Sequence, residues 1–172
     1  MHRRPLLPHA LGLLLLAALP STMAHAATPP PPNELSCRFQ ASREAAGAVM
    51  LHFTLRNTGT RTLHLLRWGS PFEGGWFGRF VRVSTPQGEL AFQGAMRKRG
   101  DPSAADYLPL PPGQTLEATL ALGDAYALPA TGTLQLKAGW RWHDVMAGGS
   151  PPRPRAAHQG QDQDCGEVTL TR

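Results

Sequence analysis

Cysteine is nearly missing from this 172-residue chain: only Cys37 and Cys165 are present. Their distance apart rules out a C-x-x-C redox or zinc pair. Basic runs are also scarce. The densest is Arg97-Lys98-Arg99, and Asp101 follows almost at once. The formal net charge of +5 falls to +3 when Arg3 and Arg4 are set aside, with 15 basic residues against 12 acidic. Without a basic block carrying interleaved aromatics, nucleic acid is not an expected partner. No apolar run is long enough to serve as a permanent membrane-spanning helix. No long stretch repeats with a helical period either, which turns attention to strands.

The amino-terminal segment reads as an export signal. Arg3 and Arg4 give a basic start, Leu11 to Leu19 an apolar run, and Ala24-His25-Ala26 places small residues where a signal peptidase cuts. Residues 1–26 are therefore expected to be a signal peptide and 27–35 a stiff proline-rich leader. Residues 36–172 are expected to form one domain. Export places the protein in the periplasm or the medium. It also makes a Cys37–Cys165 disulfide the simplest state of a lone cysteine pair, with two free thiols as the alternative.

Period-two patterning dominates the rest. In Val49 to Asn57, residues Val49, Leu51, Phe53 and Leu55 share one face, and Met50, His52, Thr54 and Arg56 the other. Asn57 to Thr60 is turn chemistry, and a strand resumes at Arg61. Further strands are expected in "LSCRFQA", "RFVRVST", "YLPL", "TLEATLAL" and "EVTLT", with "LAFQ" pairing back across the turn at Pro86 to Glu89. The clearest alternation sets Leu134, Leu136, Ala138, Trp140 and Trp142 against Gln135, Lys137, Arg141 and His143. One helical turn each is expected in "PSAADYL" and "LGDAYAL". Residues 148–164, rich in Pro, Gly, Gln and Arg, read as a loose surface excursion. Seven or eight short strands with frequent turns predict an all-β, immunoglobulin-like antiparallel sandwich.

Between Trp68 and Phe80 the sequence crowds Trp68, Phe72, Trp76, Phe77 and Phe80 among glycines. Two readings stand. The loop folds back and caps one end of the sandwich, or it presents an aromatic patch to a protein partner. The second makes Trp68, Phe72, Glu73, Trp76 and Phe77 the candidate binding residues, with Trp76 and Phe77 as leading anchors. Four histidines remain beyond the signal segment. His52 and His64 could face each other across a hairpin, but two histidines without a third ligand make a poor metal site. No cofactor, metal or catalytic arrangement is expected.

An ordered series of residues carries a resemblance. Asn57-Thr58-Gly59 precedes Leu66, Trp68, Pro71, Glu73 and Gly74. Further on come Gly94, Lys98, Arg99, Pro102, Asp106, Tyr107, Leu110, Pro112, Gly113, Tyr126 and Leu128. Over about residues 47 to 142 this resembles the non-catalytic N-terminal domain of deuterolysin-type and peptidyl-Lys metalloendopeptidases, the aspzincins. Ser70, Phe92 and Leu134 depart from that pattern. The catalytic signature of those proteases, a zinc held by H-E-x-x-H and by the Asp of G-T-x-x-D, is missing. No His is followed by Glu, and the two Gly-Thr pairs have Leu63 and Leu136 where the Asp would stand. The resemblance thus implies a binding module without enzyme activity, contacting a metalloprotease as inhibitor, chaperone or tether. A structural or adhesive domain for an envelope protein or polysaccharide is the alternative.

Overall fold

The computed structural model describes residues 34–45 and 47–172. Ten strands follow one another: β1 (Leu35–Arg43), β2 (Val49–Asn57), β3 (Leu63–Leu66), β4 (Val81–Thr85), β5 (Gly88–Glu89), β6 (Tyr107–Leu110), β7 (Thr115–Ala121), β8 (Thr133–Trp142), β9 (Val145–Ala147) and β10 (Gln161–Thr171). Every pairing is antiparallel, in sheets ordered β1-β2-β7, β10-β8-β4-β5 and β6-β3-β9. The all-β sandwich follows the period-two patterning. The short β5 and β9 raise the number of strands above the eight expected. "LAFQ" forms no strand of its own, although the Leu90 amide donates to the Val83 carbonyl. The expected signal peptide and most of the leader lie outside the described residues. Leu35, placed at the leader's end, is instead buried as the first residue of β1.

The two best alternations build the main core. Val49, Leu51 and Phe53 of β2 face Leu134, Leu136 and Ala138 of β8, with Phe39, Phe80, Val81 and Val83 between and beside them. Burying side chains of this size contributes on the order of 1.5–3 kcal/mol each. Leu55, Leu63, Leu65, Leu110, Trp142 and Val145 form a second core toward the third sheet. Leu66, adjacent to Leu65, is also fully buried, because the third sheet is covered on its far side by Trp68, Tyr107 and Met146. Apolar residues on both faces of β3 are thereby explained.

Asn57 joins two sheets where β2 ends. Its side-chain amide donates to the carbonyls of Arg61 (2.7 Å) and Leu110 (2.8 Å), and its Oδ1 accepts the Gly59 amide at 2.9 Å. Asparagine suits this place because donors and acceptor sit on one short side chain and none is left unpaired in the interior. The same crossover moves β3 into a different sheet from β2. His52 and His64 consequently do not meet: His52 lies between the hydroxyls of Ser42 and Thr119 on one sheet, and His64 pairs with Pro109 and Met146 on another.

The expected loose excursion is corrected at its end and in its middle. β10 already begins at Gln161, and the segment before it is tied down by charge. Asp144, fully buried, accepts from Arg153 Nε (2.8 Å), the Tyr107 hydroxyl (2.8 Å) and the Gln159 amide (2.8 Å). Breaking such a buried pair typically costs about 3–5 kcal/mol, since one charge is left without compensation. Within β10 the register slips between Asp164 and Gly166, leaving Cys165 as the extra residue of a bulge. Up to and including the bulge the inward residues are Gln163 and Cys165; after it they are Val168 and Leu170. The bulge re-aims the strand, and Cys165 bonds to Cys37 of β1.

Candidate functional site

The aromatic loop starts where β3 ends and is built by short local bonds. Ser70 Oγ donates to the Arg67 carbonyl (2.7 Å), and the Gly69 amide to Glu73 Oε2 (2.7 Å). Pro71–Glu73 makes a single 3-10 turn, closed by Gly74 at φ 83°, a left-handed value that glycine adopts without a Cβ clash. Gly78 then passes so close to the loop's start that a Cβ there would lie 2.7 Å from the Gly69 oxygen.

This closure separates the predicted binding residues. Trp76 turns inward: it stacks on Phe80 at 4.5 Å, meets Tyr126 edge-on at 5.9 Å, and its Nε1–H donates to the Ala121 carbonyl at 2.9 Å. As the leading exposed anchor it is corrected, because the main core offers its ring a matching slot and its indole N–H an acceptor. Phe72 packs on Trp140 and Trp142, each at 6.2 Å. Phe77 stays partly buried at the surface with the Arg97 guanidinium 3.4 Å above its ring. The loop is thus in large part the cap of the sandwich.

Trp68 and Glu73 instead underlie a basic pocket. The Trp68 ring is the floor beside Leu66, and Arg99, His143, Arg155 and His158 complete a cavity of about 260 Å³. The guanidinium of Arg99 lies 5.2 Å and that of Arg155 5.8 Å from the Trp68 ring centre. The indole N–H of Trp68 is occupied elsewhere, donating to Asp106 Oδ1 at 3.1 Å. Bonds from the Ser103 amide foremost, then from the Ser103 hydroxyl and Trp68, hold the Asp106 carboxyl below its usual range against the effect of burial. The Glu73 carboxylate, only 4% exposed, bonds Arg99 and lies 3.7 Å from Arg97. Arg155 bonds the carbonyls of Arg99 and Gly100, and its Nε is 3.5 Å from Asp101. Burial, then His158, Arg141, Arg155 and Arg99, push the His143 pKa down.

Of the residues chosen from sequence, the pocket gathers Trp68 and, beneath it, Glu73. Trp76 belongs to the interior, Phe72 is half-buried against Trp140 and Trp142, and Phe77 lies under Arg97. Sequence reasoning missed Arg99, His143, Arg155 and His158 as a group. In sequence, Arg97 to Arg99 read as a short basic run whose Lys98 and Arg99 also belong to the resembling series, and Arg155 and His158 lie inside the segment expected to be a loose excursion. Among the described residues, no three His, Cys, Asp or Glu side chains converge to hold a metal ion. No described helix is long and apolar enough to cross a membrane.

No protein-family model matches the chain. Over 127 residues it is 28% identical to an extracellular protease of Aeromonas hydrophila, covering 74% of this chain and 34% of that protein. The chain thus spans about a third of that relative's length. A solved structure from the Northeast Structural Genomics Consortium covers 80% of this chain and 85% of its own, at 9% identity and a TM-score of 0.39.

Proposed function

We propose that this chain is an exported, non-catalytic binding module that docks onto a zinc metalloendopeptidase and inhibits, chaperones or tethers it. One observation carries the reading: the similarity to an extracellular protease takes in 74% of this chain but 34% of the protease. A match confined to a third of a protease supports a stretch that accompanies a catalytic unit rather than being one. The lack of H-E-x-x-H and G-T-x-x-D anywhere in the sequence supports a role without water activation by zinc. The basic pocket over Trp68 supports contact with a partner, since Trp and Arg are the residues that most often anchor interfaces.

The test uses the purified mature chain and a metalloendopeptidase bearing both motifs from the same genome. Saturable binding with a dissociation constant near or below about 1 μM is expected, together with an altered rate or half-life of casein cleavage. The chain alone should leave casein intact with zinc added. Chelator-sensitive cleavage by the chain alone would restore the enzyme reading, and no saturation at about 1 mM would remove the protease as partner.

A further inference from the structure

We infer that the pocket formed by Leu66, Trp68, Arg99, His143, Arg155 and His158 is a receptor for a peptide carboxylate of the docked partner, held between the guanidiniums of Arg99 and Arg155 over the Trp68 ring. This deepens the binding-module reading and rests on it only in taking the ligand to be part of a protein.

The placement of charge carries the argument. Arginines 67, 97, 99, 153 and 155 gather around this end of the sandwich, together with Glu73, Asp101, Asp106 and Asp144. The numbers almost balance, but the depths do not. The Glu73 and Asp144 side chains are 4% and 0% exposed, whereas Arg99 and Arg155 are 24% and 47% exposed. Two of the four carboxylates are thus held inside, the exposed Asp101 lies beside Arg155, and Arg99 and Arg155 line the cavity. Protonation of His143 is disfavoured by burial first, then by His158, Arg141, Arg155 and Arg99.

The two guanidiniums are also arranged before any ligand arrives. Glu73 takes Arg99 through Nη2, and the carbonyls of Arg99 and Gly100 take Arg155 through Nη2. Arg99 Nε and Nη1 and Arg155 Nη1 have no partner among the described residues. Donors fixed in advance lose little freedom when a carboxylate binds, and Arg99 and Arg155 can each offer an N–H to one of its two oxygens. Trp68 and Leu66 beneath them suit the apolar stem next to that carboxylate. A glutamate or aspartate side chain and a chain terminus share this chemistry.

Three tetrapeptides distinguish the sources when titrated onto the mature chain. The first carries one glutamate among leucines and is capped at both ends. Its capped glutamine twin has no carboxylate, and the glutamine peptide with a free C-terminus has only the terminal one. One of the two carboxylate peptides should bind at least about tenfold more tightly than the twin, shift the Trp68 indole N–H resonance, and weaken as salt rises. The stronger of the two names the source. Arg155→Gln should abolish the preference while melting like the parent, and Arg155→Lys should retain part of it. Equal binding of all three peptides, a preference that survives Arg155→Gln, or no response at Trp68 would overturn the assignment. Failure of protease docking with peptide binding intact would remove the partner but not the pocket. Protease docking undisturbed by Arg155→Gln and by excess peptide would remove the pocket but not the partner.

Discussion

Trp76 gives its indole N–H to the Ala121 carbonyl and its faces to Phe80 and Tyr126, while Phe77, one residue on, lies at the surface under Arg97. Nothing local distinguishes the two rings beforehand. Both are large, both sit between glycines, and the partners that settle their fates are up to 50 positions away along the chain (Tyr126). The sequence therefore allowed both the cap and the exposed patch, and long-range packing chose mostly the cap. The substitutions should differ accordingly. Trp76→Ala removes a buried ring and leaves a cavity, so it is expected to cost about 3–5 kcal/mol. Phe77→Ala loses little more than a surface cation–π contact, on the order of 0.5–1 kcal/mol. Denaturant melts of the two variants measure this, and a Trp76→Ala protein as stable as the parent would contradict the burial.

Strands were legible wherever one face alone is buried, as in β2 and β8, because the pleat prints its period directly onto the residues. Legibility fell where the period broke. β3 was expected as a strand although it packs on both faces, but β10 changes its inward parity at Cys165, so only its last five residues read as a strand. The stretch before β10 was opaque for a different reason. Arg153 and Asp144 hold it by charge, and hydropathy patterns do not register an ion pair. The bulge has a measurable consequence, since it aims Cys165 at Cys37 on β1, 128 positions away in sequence. In the chain-entropy model a loop that long stabilises by roughly 4–5 kcal/mol. Reduction should lower the denaturant midpoint by a corresponding amount, and intact mass should show no alkylatable thiol before a reductant is added. A stability unchanged on reduction would mean that β1 and β10 hold together without the bond.

The chain has two tyrosines, one in the main core and one in the cover of the third sheet, which makes its integrity readable by titration. Tyr126 lies in the main core and donates to the Val81 carbonyl, and burial pushes its pKa up to about 12. Tyr107 lies against the third sheet, and burial followed by its bond to Asp144 pushes its pKa higher still. Ordinary tyrosine ionises near 10. The folded state therefore keeps both protons above pH 10 while the unfolded state releases them. The contribution of these groups to stability is complete below pH 10 and is lost as pH rises from there through about 12 and beyond. For Tyr126 that amounts to about 2–3 kcal/mol. Below the unfolding pH, near-ultraviolet absorbance should show no tyrosinate in the native protein, and both rings should ionise together with the loss of β-sheet circular dichroism. Tyr126→Phe should flatten the decline of stability above pH 10 even if it lowers stability at neutrality through the lost hydroxyl bond. One ring ionising at its ordinary pKa in the folded protein would show that its part of the sandwich is open to water. Tyr107 bears on the pocket as well, since it packs beside Trp68 and bonds the aspartate next to His143. Ionisation of Tyr107 at pH 10 would thus count against both the third sheet's cover and the floor proposed for the carboxylate.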